Sequence, residues 1–163
     1  MFDIQLFGRL EVRTRGISLS GDDFGGRRPR HLLALLALRG ERSLVELAEL
    51  LDVPPGTVKD DLRLLRDHLE PGVRSRDSVI ATHRGHLHLV PERVRVDAAT
   101  FDALIAAAAG RPAERAARPL AAAAFLASRP LLEGEDAPWA AEARGEYRAK
   151  LLVALPASAT QPI

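Results

Sequence analysis

The chain has 163 residues with 23 basic and 22 acidic side chains, a formal charge of +1 at neutral pH. A hydrophobic fraction of 47% and a charged fraction of 28% belong to a globular protein with a core, not to a disordered or uniformly basic chain. The absence of cysteine excludes disulfide frameworks, thiolate metal sites and cysteine nucleophiles.

No apolar run approaches the ~20 residues that span a bilayer. The start, Met1-Phe2-Asp3-Ile4, lacks the basic and apolar stretches of a signal peptide, so a cytoplasmic protein without a membrane partner is expected. Composition shifts near residue 96: alanine occurs 4 times before Asp97 and 23 times from there on. Alanine is the best helix former, whereas glycine and β-branched residues favour turns and strands. The expected organisation is a domain over 1–95, a helical region over 96–156 and a disordered tail over 157–163.

Alternation of Phe2, Ile4 and Leu6, then of Leu10 and Val12, predicts two strands, with Ile17 to Leu19 as a short third. Gly8-Arg9 and Arg15-Gly16 are the turns between them. A glycine-rich, charged loop ends at Pro29, which suits a first helical position because its missing N–H has no partner there. The helix from Pro29 to Arg39 carries five leucines on nearly every side and is expected to be the buried spine, stopped by Gly40. Ser43 and Glu46 form a capping box, followed by a stripe of Leu44, Leu47, Leu50 and Leu51. Asp52 to Gly56 reads as a tight turn into a third helix, where Val58, Leu62, Leu65 and Leu69 recur on one face. Ser78–Thr82 and Leu87–Val90 flank His83-Arg84-Gly85-His86 as a hairpin. Three helices with a short turn between the last two, then a hairpin, is the order of a winged helix-turn-helix in an α+β domain.

In the helical part, Asp97 can cap a helix with a stripe of Phe101, Leu104, Ile105 and Ala108. Gly110-Arg111-Pro112 ends it, and Pro119 is expected to kink or split the next helix. Pro138 opens a third helix bearing Trp139, Ala143, Tyr147, Leu151 and Ala154.

Phe7-Gly8-Arg9-Leu10-Glu11-Val12, Gly26 to Leu36 and the wing Thr82 to Leu89 resemble the winged-helix half of the bacterial antibiotic-regulatory-protein (SARP) activators. Val96 to Leu104 and Pro130 to Trp139 resemble the start of that family's bacterial transcriptional activation domain (BTAD), a tetratricopeptide-like stack of paired helices. The resemblance implies binding of double-stranded promoter DNA through the third helix and wing, and contact with RNA polymerase. Three departures stand beside it. The helical half has room for about three helices, where such arrays usually need ~3 repeats. His86 and Leu87 replace the usual glycine and tyrosine of the wing. Leu47 to Lys59 is closer to the helix-turn-helix of sigma-factor region four.

On a helical wheel the third helix turns Asp60, Arg63, Leu64 and Asp67 away from its apolar stripe, with Lys59 and Arg66 on one flank. Arginine can grip guanine in a bidentate pair, while the two aspartates oppose phosphate. The expected DNA-binding set is Thr57, Lys59, Arg63 and Arg66 on that helix, Arg27, Arg28 and Arg30 as phosphate anchors, and Arg84 at the wing tip for a groove contact. His83, His86 and His88 lack a convincing further ligand, so no metal is expected, and no cofactor either. Gly21 to Gly26 lacks the Lys-Ser/Thr ending of a phosphate loop, and Glu133, Glu135 and Asp136 read as solvated loop charges. No enzymatic activity is expected. The sequence thus reads as a sequence-specific transcriptional regulator; the alternative is a protein-interaction adaptor that keeps the scaffold without reading DNA. A homodimer through the helical region is expected, against an alternative of intramolecular packing on the N-terminal sheet.

Overall fold

The computed structural model describes residues 1–156; the expected disordered tail, 157–163, lies outside them. By contacts the chain divides into two units, one of Met1–Ile4 and Leu10–Val96, the other of Gln5–Arg9 and the residues from Asp97 onward.

In the first unit, strands β1 (Phe2–Gln5), β2 (Glu11–Thr14) and β3 (Ile17–Ser20) follow the alternation of the sequence. Phe2, Ile4 and Val12 are buried while Asp3 and Arg13 are exposed, as a period of two requires. The β2–β3 hairpin turns on Arg15-Gly16, both at positive φ (50° and 76°), the primed geometry that matches strand twist. The third strand is an edge, and Ile17 on it is 50% exposed.

Helix α1 (Arg27–Arg39) begins two residues before the expected start, so Pro29 is its third residue and not its first. The position is still compatible, because N–H groups of the first turn lack helical acceptors anyway. Pro29 and the consecutive residues His31–Leu36 are buried, so this helix is the spine. Gly40 ends it at φ 75°. A two-residue strand, β4 (Arg42–Ser43), precedes α2 (Leu44–Leu51). The capping box forms: Glu46 N–H donates to Ser43 Oγ and Ser43 N–H to Glu46 Oε1, both at 3.1 Å. Hydrogen bonding from Ser43 holds the Glu46 carboxyl below its ordinary range. Within the α2 stripe Leu47 is fully buried, but Leu50 is 39% exposed, so the stripe is narrower than the leucine count implies.

Helix α3 (Pro55–Leu69) buries Val58, Leu62, Leu65 and Leu69, as the spacing requires. Burying each such side chain contributes roughly 1.5–3 kcal/mol. The wing is β5 (Ile80–His83) and β6 (His86–Leu89), paired in register His83↔His86, with β4 on the other side of β6. A strand absent from the sequence reading, β7 (Val94–Val96), pairs parallel to β1 and closes the sheet order β3-β2-β1-β7.

The second unit contains α4 (Asp97–Ala108), α5 (Ala113–Leu126) and α6 (Pro138–Ala154). Helix α5 runs without a break through Pro119, so the expected split does not occur. A proline forfeits its own N–H bond, and the flanking turns retain theirs. The segment Gln5–Arg9, expected to hold a strand end and a turn, belongs to this unit. Phe7 bridges Leu131, and Gly8 N–H donates to the Pro130 carbonyl at 2.8 Å. Asp97 is the first residue of α4, and its carboxylate accepts from Leu6 N–H (2.8 Å) and Phe7 N–H (3.0 Å). Burial pushes that carboxyl above its usual range, against the pull of these donors. The Phe7, Phe101 and Tyr147 rings meet with centroids 5.4–5.7 Å apart. Arg144 ties the loop before α6 by donating to the carbonyls of Leu131, Leu132 and Glu135.

Candidate nucleic-acid interface

The turn from α2 to α3 is three residues, Asp52-Val53-Pro54, shorter than the five expected because Pro55 already opens α3. Asp52 sits in the left-handed region at φ 56°, and Val53 N–H donates back to the Ala48 carbonyl at 3.0 Å. This αL ending turns the chain sharply, and the fixed φ of Pro55 starts the next helix. The wing is joined to the start of α2, since Leu44 N–H donates to the Gly85 carbonyl at 2.9 Å.

The exposed face of α3 presents Lys59, Asp60, Arg63, Leu64, Asp67 and His68. Thr57 is half-buried in the first turn. Among the described residues Arg63 has no charged or hydrogen-bonding partner and stands in the middle of that face, with Lys59 one turn before it. Asp60 and Asp67 flank them, so the formal charge of these four groups cancels. His68 folds back: its Nδ1 lies 2.8 Å from the Leu64 carbonyl.

Arg66 is placed otherwise. Its guanidinium donates to the Ile80 carbonyl at 2.6 Å and to Thr82 Oγ1 at 3.3 Å, clamping the first wing strand to α3. Burial lowers its pKa, and its buried Nε has no hydrogen-bond partner among the described residues. Arg28 is also committed: its Nε lies 3.2 Å from Oδ2 of Asp61, whose side chain is 3% exposed. Desolvation raises the Asp61 pKa, and the Arg28 charge opposes that rise. Arg30 donates to the Gly21 carbonyl at 3.3 Å, while Arg27 is exposed at the first position of α1. Arg84 is exposed at the wing tip at φ 50°, followed by Gly85 at φ 77°.

The set proposed from sequence therefore separates. Arg27, Lys59, Arg63 and Arg84 are exposed; Arg28, also exposed, pairs with Asp61, Arg30 is half-buried and donates to Gly21, and Arg66 holds the wing to α3. Sequence reading missed the partners of Arg28 and Arg66. Asp61 flanks the apolar stripe one turn from Val58 and Leu65, the one signal that marked it. Glu70 was also missed: its Oε1 accepts from Val79 N–H at 2.6 Å and its Oε2 pairs with Arg93, fixing the base of the wing.

Of the histidines, His88 Nδ1 lies 3.6 Å from Glu41 and His86 Nδ1 3.3 Å from the Arg84 carbonyl. Among the described residues, no group of three or more His, Cys, Asp or Glu side chains is placed to hold a metal ion. No described helix is long and apolar enough to cross a membrane.

No family model and no curated protein matches the chain. Among solved structures, Mycobacterium tuberculosis EmbR in complex with a low-affinity phosphopeptide has the same fold over 94% of this chain, at a TM-score of 0.72 and 23% identity. The chain spans 43% of that EmbR chain. The α+β, winged-helix architecture is thus shared with EmbR, and at this identity the likeness is one of fold.

Proposed function

We propose that the chain is a sequence-specific, DNA-binding transcriptional regulator of SARP type. The observation that carries this reading is the exposed side of α3, with Arg63 at its centre between a three-residue turn and a wing tipped by Arg84. A fold shared with EmbR, a SARP-family regulator, supports it. In this account α3 enters the major groove, where Arg63 grips guanine O6 and N7, a pairing that contributes ~1–3 kcal/mol of discrimination. Lys59, Thr57 and the helix N-terminus lie toward the backbone. Arg27 and Arg30 hold phosphates at the start of α1, where free N–H groups add to the field. Arg84 reaches the minor groove. Arg28 and Arg66 act indirectly, by fixing α1 and the wing against α3. Two chains joined as a homodimer would read two half-sites, and RNA polymerase would be the further partner.

Asp60 and Asp67 on the same face favour a second reading, a protein-interaction adaptor. The substitution Arg63→Ala separates the two. A regulator loses affinity and specificity for its operator, whereas an adaptor has neither to lose. The assay is fluorescence anisotropy against the chain's own upstream DNA and a scrambled duplex.

A further inference from the structure

We propose that the second unit holds a site for the phosphate of a phosphomonoester, in a cleft between the end of α5, the loop at Pro130 and α6. The inference stands on that unit alone and does not depend on DNA binding. The cleft has a volume of about 220 Å³, and all of its lining residues are described and belong to this unit. Arg129, Arg144 and Arg148 line it with the Ser128 hydroxyl, and no acidic side chain among the described residues does. Phe7, Leu131 and Tyr147, all buried, form its apolar side. Cations beside such a wall are less screened than cations in open water, so they attract an anion more strongly.

The charge balance identifies the ligand as an anion. Arg129 donates to Glu133 Oε2 at 2.7 Å, and these two cancel. Asp102, which accepts from the Tyr147 hydroxyl, is cancelled by Lys150 at 3.0 Å. Arg144 and Arg148 remain, with no carboxylate paired to either among the described residues. Glu142 and Glu146 each stand two residues before one of them, a spacing that puts side chains on different faces of a helix. The two arginines are four residues apart, on one face, where like charges oppose each other and an anion between them relieves the repulsion. Arg144 is preorganised: Nε and Nη2 donate to the carbonyls of Leu131, Leu132 and Glu135, which fixes the guanidinium plane and leaves Nη1 unspent. Arg129 lies over Gly8, where an added Cβ would stand 2.8 Å from its Cζ, so the bare backbone at φ 95° admits the guanidinium. The Ala123 and Phe125 carbonyls at the end of α5 accept from Ala127 and Ser128 N–H, so they do not turn unpaired toward the anion. Two uncancelled cations suit a group of nearly two negative charges with three acceptor oxygens, and guanidinium grips phosphate in a bidentate pair. Leu131 and Leu151 offer an apolar wall to the organic part of the ester.

The test is calorimetric titration of the full chain with phenyl phosphate, inorganic phosphate and dimethyl phosphate, a monoanion that stands for the nucleic-acid backbone. Saturable one-to-one binding of phenyl phosphate is expected, with inorganic phosphate several-fold weaker and dimethyl phosphate weaker again by roughly tenfold. Arg148→Ala should weaken phenyl phosphate by roughly tenfold. Arg148 is exposed, so the melting curve should not fall, and loss of its repulsion with Arg144 acts in the other direction. Arg118→Ala, which removes an exposed charge outside the cleft, should leave binding unchanged. No saturable heat with phenyl phosphate would overturn the proposal, as would equal weakening by Arg118→Ala and Arg148→Ala. Inorganic phosphate bound as tightly as phenyl phosphate would overturn the choice of a monoester and assign the cleft to the free ion. Dimethyl phosphate bound as tightly as phenyl phosphate, with DNA affinity lowered by Arg148→Ala, would assign the arginines to a nucleic-acid backbone and overturn the proposal equally.

Discussion

Arginines 63 and 66 lie one helical turn apart on α3, yet their replacement by alanine should have opposite consequences. Arg66→Ala removes the donor to the Ile80 carbonyl at 2.6 Å and to Thr82 Oγ1 at 3.3 Å. A hydrogen bond from a charged donor contributes about 1.5–3 kcal/mol, and its loss at a half-buried site that water can reach falls near the lower half of that range. Taking about 2 kcal/mol, and a urea m-value of roughly 2 kcal/mol/M for a domain of this size, the unfolding midpoint should fall by about 1 M. Arg63 makes no contact that this loss resembles, so Arg63→Ala should leave the midpoint within the roughly 0.5 kcal/mol typical of surface changes. Urea unfolding of the two variants beside the parent chain, followed by circular dichroism, measures both. Arg66→Lys should recover part of the loss, since an ammonium can reach one of the two acceptors. An unchanged midpoint for Arg66→Ala, or equal losses for both variants, would refute the division of the helix into a structural and an outward-facing arginine.

Three further outcomes follow from the same geometry. Gly25→Ala should cost about 2 kcal/mol, since residue 25 sits at φ 99° and an added Cβ would stand 3.0 Å from His68 Nδ1 and 3.3 Å from Leu64 Cβ; urea unfolding measures it. Asp97→Ala should cost about 2–4 kcal/mol by leaving the Leu6 and Phe7 N–H groups without their acceptor, and amide exchange at these two positions should quicken. Burial holds the Asp61 carboxyl above its unfolded value, so the folded state binds this proton more readily between the two values. Stability contributed by this group should therefore fall as pH rises through that window, and Asp61→Asn should flatten that part of the profile. A profile identical in the two proteins would show that Arg28 fully offsets the burial.

Legibility in the sequence tracked the range of the interactions. The α3 stripe of Val58, Leu62, Leu65 and Leu69, the Ser43–Glu46 box and the Arg84-Gly85 turn are set by residues within four positions of each other, and all three stand in the structure. Strand β7 is three residues long, too short for a periodic signal, and exists because β1 offers it an edge some ninety residues away in sequence. The segment Gln5–Arg9 looked like a strand end and a turn because its partners, Asp97 and the loop at Pro130 to Glu133, are remote. The same limit applies to the candidate interface. A helical wheel put Arg66 on the flank beside Lys59, but could not show that the wing's Ile80 carbonyl awaited it. By charge and position Arg28 reads as a phosphate anchor, but its partner, Asp61, stands on the neighbouring helix. Charge alone does not distinguish an arginine that serves DNA from one that serves a buried carboxylate.

The most direct test of the regulator reading is an anisotropy titration of the full chain with its upstream DNA and a scrambled duplex at several salt concentrations. With Arg28 and Arg66 committed elsewhere, about three to five basic groups remain for phosphates, so the log–log salt slope should be roughly −3 to −4.5, with tighter binding to the upstream sequence. Absence of binding to either duplex at low salt would contradict the account, and would mean that Asp60 and Asp67 govern the exposed face of α3.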